Sequence, residues 1–371
     1  MNPYDFVRID WQTPPPRRAP SWHHRLTGEK KLYSGSLEID IYAETPLFIG
    51  DPRSVSPDPR KPALSFKNGR DAYTIPGSSL KGLLRNVIET QGNGCLTLFD
   101  GRYERNKVDY YREVAPAFQH CSTTNELCIA CRICGMLKDR SKEIFLGKIN
   151  IGDAVVKPET LHLYDPLYTL PLMEPKPHHA SFYLDESGKR IAGRKYYFHH
   201  NPDKEPAQEN RLITFGRTPA NRYIQPIERD TQFSCQLEFS NLEEDEFAVL
   251  MLAVTLEENM RHKIGYGKPM GLGSIYLYPV RLTLIDYSAR YTRPGTTHGR
   301  SKYEGKQFWN AIGEPVDRFY DTMLNQNVMD DLRRIWLWQP EEGTIYRYPD
   351  KRGWFDLPQN RTKRIADTWD A

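Results

Sequence analysis

From Ser36 onward, apolar Leu37, Ile39 and Ile41 alternate with polar residues. This two-residue period belongs to a half-buried strand, and it carries on to about Ile49. Residues 76–91 switch to helical spacing. Leu80, Leu83, Leu84, Val87 and Ile88 make one apolar stripe, and Ser78, just after Pro76-Gly77, reads as the N-cap. Residues 147–156 predict a second strand. Residues 232–240 predict a third, in which Cys235 alternates with Phe233, Leu237 and Phe239 on the inward face. Asn241 with Glu244 reads as a capping-box variant opening a helix over about 242–257, with Phe247, Leu250, Met251 and Val254 on its apolar face. Residues 273–286 predict the fourth strand.

The order is β-α-β-β-α-β, which predicts an α+β chain of ferredoxin-like type. RNA-recognition-motif (RRM) sheets share this architecture. Large insertions interrupt it. Residues 92–146 hold a cysteine-rich segment, and 157–230 are irregular, basic and aromatic. Residues 1–34 are rich in Pro, Arg and His without periodicity, so they read as an arm able to dock on a neighbour. Residues 287–371 form an appendage to the 35–286 core. Five of the seven Trp lie there (Trp309, Trp336, Trp338, Trp354 and Trp369), which predicts packing on the domain or on a partner subunit.

The 371 residues are enough for a sizeable core. Lys and Arg number 51 against 48 Asp and Glu, a net charge of +3, so any polyanion must be met by local clusters rather than a global field. The longest clean apolar run, Phe247 to Leu256, is about half of what a bilayer span needs. The first residues lack an apolar signal core. No membrane partner is expected, and the expected location is the cytoplasm.

Cysteine spacing carries chemistry. Cys121, Cys128, Cys131 and Cys134 follow C-x6-C-x2-C-x2-C, with His120 beside the first. Thiolates at x2 spacing can share one tetrahedral ion, so the four predict a closed, structural zinc site, with His120 as the substitute ligand. An iron–sulfur cluster and redox thiols are the alternatives. Cys95 and Cys235 read as plain core residues.

Two further stretches could hold an anion. The first turn of the 76–91 helix offers backbone N–H groups with Ser78, Ser79 and Lys81, and Arg85 follows four residues on. Residues 264–275 place glycines at 265, 267, 271 and 273 around Lys268. A strand rather than a helix follows, so this is no dinucleotide fingerprint. Such a loop can approach a phosphodiester chain through its N–H groups. The plainer readings are an amphipathic helix with a solvated basic face, and a connector.

Together these pieces resemble a known family. Ile75-Pro76-Gly77-Ser78-Ser79-Leu80-Lys81-Gly82-Leu83-Leu84-Arg85 is similar to the signature (I/L)PGSSLKGxxR of the RAMP superfamily, which supplies the Cas7-like subunits of type III CRISPR–Cas effector complexes. Cys131-Arg132-Ile133-Cys134-Gly135 resembles its CxxCxLFG segment, Gly147 to Ala154 its GxLxxxDA strand, and Ile264 to Ser274 its glycine-rich loop. The likeness spans about 36–286 in the family's order. The insertion containing KPHH and GRKYYFHH is similar to that of a divergent group in type III-D-like systems.

The resemblance implies a subunit that stacks along a CRISPR RNA (crRNA) beside other Cas subunits, grips guide phosphates, and kinks the guide–target RNA duplex with a thumb. Here Ser78, Ser79, Lys81 and Arg85 would hold the guide, with Gly265, Gly267, Lys268, Gly271 and Gly273 opposite. The thumb would be 157–230, its Arg194, Lys195, Tyr196 and Tyr197 stacking on splayed bases. Those aromatics could instead pack the insertion's own core. Active relatives cut target RNA with an Asp between the first strand and first helix, by in-line attack of a 2′-OH. The family's GxxDxP stretch is replaced here by Gly50 to Pro62, so Asp58 is the nearest candidate, with Asp51 and Asp71 as fallbacks and Arg60, Lys61 or His179 to steady charge. Mg would serve if cutting needs a metal. A zinc hydrolase unrelated to RNA is the third reading, and four Cys ligands argue against it.

Overall fold

The computed structural model describes all residues except 24–30, 52–60, 97–101, 104–107, 110–113, 138–142, 171, 173–179, 189, 201–220, 293–297, 340–343, 345, 347, 349–353, 355–356, 361 and 366–371. The strands used below are β1 (Tyr4–Val7), β2 (Tyr33–Ala43), β3 (Thr74–Ile75), β4 (Ile149–Ile151), β5 (Ala154–Val156), β6 (Arg194–Tyr197), β7 (Gln232–Leu242), β8 (His262–Lys263), β9 (Ser274–Ile285) and β10 (Arg300–Glu304). The helices are α1 (Gly77–Gln91), α2 (Ile129–Cys134), α3 (Glu244–Thr255), α4 (Tyr287–Thr292), α5 (Lys306–Thr322) and α6 (Gln326–Trp336).

The main sheet runs β8-β9-β2-β7-β5-β3, with β4 also on β7 and β10 on β9. Its centre, β9-β2-β7-β5, is antiparallel throughout. Two interleaved βαβ units make this order, with α1 crossing from β2 to β4 and β5, and α3 from β7 to β9. That is the ferredoxin-like fold the hydrophobic pattern predicts. Ile39 pairs with Cys235 and Leu37 with Leu237, so the alternating apolar sets of neighbouring strands share one face.

The helix starts differ from expectation. The N-cap of α1 is Pro76, not Ser78, and no side chain of the cap accepts a bond. The Gly77 N–H donates instead to Asp153 Oδ1 at 2.8 Å, so a carboxylate from the β4–β5 turn fills the capping role. Gly77 is needed there, because a Cβ would lie 2.1 Å from the Ile151 carbonyl oxygen. The capping box of α3 is Glu243 with Glu246, two residues beyond Asn241 and Glu244. Asn241 sits in left-handed backbone at the irregular end of β7, which removes it from the cap.

The predicted stripe of α1 is buried as expected, but α3 is buried all round from Glu246 to Val254. The sheet covers one side and α5, from the appendage, packs on α3 as well. The appendage therefore adds to the main core through Phe308, Ile312, Phe319 and Trp336, while Trp354 is buried in a separate cluster with Tyr4 and Phe182. The arm also docks on its own chain. β1 pairs with β6, Arg8 pairs with Asp331 of α6, and Arg18 pairs with Glu243 and Asp245. No helix among the described residues is long and apolar enough to cross a membrane.

Candidate nucleic-acid cleft and metal centre

A cleft of about 360 Å³ opens between α1 and the glycine loop. Ser79, Gly82, Leu83 and Asn86 give one wall, at the i, i+3, i+4, i+7 spacing of a single helix face. Ile264, Gly265 and Lys268 give the opposite wall. Lys195, Tyr196 and Tyr197 of β6, Lys263 of β8 and Trp336 of α6 complete it. Among the described residues, three lysines and no carboxylate line this space.

The loop's shape is set by its glycines. Gly265, Gly267, Gly271 and Gly273 all have positive φ. At Gly273 a Cβ would lie 1.8 Å from the Ile264 carbonyl oxygen, so no other residue fits. Lys268 Nζ donates back to the Gly265 carbonyl at 2.6 Å, which closes the turn.

Burial, with no acidic partner among the described residues, weakens the hold of the lysines on their protons. Lys195 is pushed down to about 8 by burial and then by neighbouring Lys268. Its Nζ lies 3.6 Å from the Tyr4 ring centroid and 4.9 Å from that of Tyr197, so ring faces supply its nearest negative potential. Burial also lowers Lys268, and it holds Lys263 well below the ordinary lysine value. Lys263 Nζ donates to Ser274 Oγ at 3.1 Å and to the Gly271 carbonyl at 3.3 Å. His199 fixes that hydroxyl. Burial keeps its ring neutral, and Nε2 faces the Arg261 carbonyl at 2.9 Å, so Nε2 carries the proton and Nδ1 accepts from Ser274 Oγ at 2.8 Å. An incoming anion would relieve the mutual repulsion of the lysines.

The expected ligands fare unequally. Ser79, Gly265, Lys268, Lys195, Tyr196 and Tyr197 line the cleft. Ser78 is exposed outside it. Lys81 donates to the Ile149 carbonyl at 3.1 Å, and Arg85 turns to Glu89, the Gly135 carbonyl and Cys131 Sγ, so neither lines the cleft. Gly267, Gly271 and Gly273 shape the loop from behind. Arg194 pairs with Glu89, and Tyr196 is 2% exposed with its hydroxyl against Thr90 Oγ1 at 2.6 Å, so both pack inward and not as a wedge. Asp58, Arg60 and His179 lie outside the described residues. Asp51 does not line the cleft, and Asp71 is paired with Lys67 at the surface. The sequence reading missed Lys263, Asn86 and Trp336. Extending the helical period from Ser79 would have found Asn86, and a lysine in the first buried residues after α3 was the signal for Lys263.

The second site is the cysteine cluster. Sγ atoms of Cys95, Cys121, Cys128 and Cys131 all lie within 4.8 Å of one another. Cys95 Sγ is 3.6 Å from that of Cys131 and 3.9 Å from that of Cys121. Four sulfurs about 2.3 Å from one tetrahedral ion would stand about 3.8 Å apart, so the donor set fits a metal such as zinc. Backbone N–H groups of Cys128 and Cys95 point at Cys121 Sγ (3.2 Å) and Cys128 Sγ (3.5 Å), and Arg85 Nη2 at Cys131 Sγ (3.3 Å). These donors suit thiolates.

Cys95 thus stands where Cys134 was expected. Cys134 ends α2 six residues after Cys128, about 9 Å along the axis. Burial pushes its thiol up to about 12. Cys95, just beyond the end of α1, is carried back onto the cluster instead. His120 is occupied with the Cys121 carbonyl at 2.9 Å.

A family model of the RAMP superfamily matches residues 40–276, nearly two thirds of the chain. The chain belongs to the RAMP superfamily. No curated protein matches it. RAMP proteins generally bind RNA and act in Cas complexes, and membership marks this chain as a CRISPR-associated RNA-binding subunit. The match takes in α1, the cysteine cluster and the glycine loop. It leaves out β1 and α6, so Trp336 in the cleft wall lies beyond the part that defines the RAMP superfamily.

Proposed function

We propose that this RAMP protein is a Cas7-like backbone subunit of a type III CRISPR effector complex, holding guide-RNA phosphates in the lysine cleft. The observation that carries the reading is the cleft itself: Lys195, Lys263 and Lys268 converge there with no described carboxylate, against the Ser79–Asn86 face of α1. Zinc at the cysteine cluster would act as a brace for the 92–146 segment. When bound, it would supply four metal–sulfur bonds and no open position for hydrolysis.

Replacing Lys195 and Lys268 together by Met should weaken single-stranded RNA binding and flatten the plot of log K against log salt by about 1.4, from about 0.7 per lost phosphate contact. Fluorescence anisotropy at several salt concentrations measures both, and an unchanged slope overturns the assignment. The pH dependence has a definite sign. RNA affinity should fall between pH 7 and 9 as Lys195, with its value near 8, loses its proton, whereas ordinary lysines hold charge to about pH 10. The contribution of Lys195 to stability should rise from about pH 8 to about pH 10, since the unfolded lysine still binds the proton there and the folded one does not. Affinity lost while stability rises cannot come from unfolding.

Cleavage by this chain rests on Asp58. In the assembled complex, Asp58→Ala should remove one cut from the target-RNA ladder with binding retained. An unchanged ladder leaves the chain a binding subunit only.

A further inference from the structure

The cysteine cluster and the cleft meet through one strand. β6 lies in a two-stranded sheet with the arm, outside the main sheet. Two of its residues reach α1 and the chain just beyond it. Tyr196 bonds to Thr90 and to the Asn86 carbonyl. Arg194 Nη2 donates to the carbonyls of Gly94 (2.7 Å) and Cys95 (3.2 Å), and Nη1 pairs with Glu89 at 2.9 Å. Cys95 therefore places its sulfur in the cluster and its carbonyl on Arg194. Glu89 is shared as well. Its other oxygen takes Arg85 Nε at 2.9 Å, and Arg85 points Nη2 at Cys131 Sγ. The residue after Arg194 is Lys195, in the cleft.

We propose that Arg194 is a positioning residue through which metal occupancy of the cysteine cluster sets how Lys195 is presented in the cleft. The inference rests on the anion-cleft reading above. The physical reason is competition for shared acceptors. With metal bound, four thiolates hold Cys95 in place and give Arg85 a charged partner. Without it no common centre holds the four sulfurs, so Cys95 and the carbonyl that Arg194 takes can shift, and Arg85, its Cys131 Sγ partner no longer fixed, draws on Glu89. Both losses fall on Arg194, which leaves the Tyr196 hydroxyl, on Thr90 and the Asn86 carbonyl, to tie β6 to α1.

The test uses full-length protein under reducing conditions, metal-loaded or treated with a zinc chelator. Brief reductive methylation followed by peptide mass spectrometry reads Lys195, with exposed Lys302 as control. Anisotropy of labelled single-stranded RNA reads the cleft. Chelation should change Lys195 labelling at least about fivefold, leave Lys302 unchanged, and weaken RNA binding about tenfold. Arg194→Met should show the shifted labelling and affinity already, with little added by chelation. Arg194→Lys, which keeps the charge but not the planar fork, should behave the same way. Two results overturn the proposal: Arg194→Met responding to chelation as the wild type does, or wild-type Lys195 labelling unmoved by metal. Loss of the sheet's circular-dichroism signal on chelation also overturns it, since the cluster would then hold the whole fold. RNA that fails to bind the loaded wild type refutes the cleft's function instead, and the labelling ratio still decides the coupling.

Discussion

Cys95→Ala should lose its bound metal and about 3 kcal/mol of unfolding free energy, while Cys134→Ala keeps one metal per chain and loses about 1 kcal/mol. The contrast follows from which sulfurs converge. Cys95 is fully buried with its Sγ at tetrahedral spacing from two others, and Cys134 is buried outside the group. A structural zinc site is worth about 10–16 kcal/mol in small peptides, so losing one of four ligands leaves a large deficit even when a water replaces the sulfur. Removing the Cys134 thiol only opens a small apolar void. Metal content by inductively coupled plasma mass spectrometry, with urea unfolding in parallel, separates the two. The reverse order, with metal lost from Cys134→Ala and kept in Cys95→Ala, would restore the contiguous C-x6-C-x2-C-x2-C set.

The contiguous set looked complete because spacing along the chain is visible and the path of the chain is not. The same limit explains the other departures. β2, β7 and β9 were legible because one face of each is buried, and a two-residue period records that directly. The stripe of α1 was legible for the same reason. Its functional face was not. Lys81 and Arg85 have the chemistry of phosphate ligands, yet their partners, the Ile149 carbonyl and Cys131 Sγ, come from segments over 40 residues away. α3 shows an apolar run too continuous for one face, a sign of burial on both sides, but what covers it is α5, some 50 residues later. The arm's proline-arginine pattern has no periodicity to read. Its place is set by Arg8 on Asp331 and Arg18 on Asp245, contacts more than 200 residues apart.

Glu246→Ala should cost about 3–5 kcal/mol, more than any single loss of an apolar contact at the surface of this fold. Glu246 is fully buried, and so are its partners. Oε2 takes Lys148 Nζ at 2.6 Å, and Oε1 takes Arg132 Nε at 2.5 Å. Oε2 also accepts the Glu243 N–H at 3.0 Å, so the same carboxylate caps α3. Truncation takes the counter-charge from buried Lys148, leaves Arg132 with the longer 3.4 Å contact to Asp245 Oδ2, and opens the helix end. Desolvation, not the lost attraction, sets the size of the effect, since neither cation can reach water without moving α2 or β4. A triple variant tests this cause: Glu246→Leu with Arg132→Met and Lys148→Met removes the three fully buried charges, leaves Asp245 to Arg18, and should recover most of the stability lost in Glu246→Ala. Urea midpoints give the comparison, and a triple variant weaker than the single one would mean the network holds the fold by its hydrogen-bond geometry instead. The consequence extends to the metal. Arg132 is flanked by Cys131 on α2, so Glu246→Ala should also raise the metal dissociation constant by about 10–100-fold, the scale seen when an outer-shell support is lost.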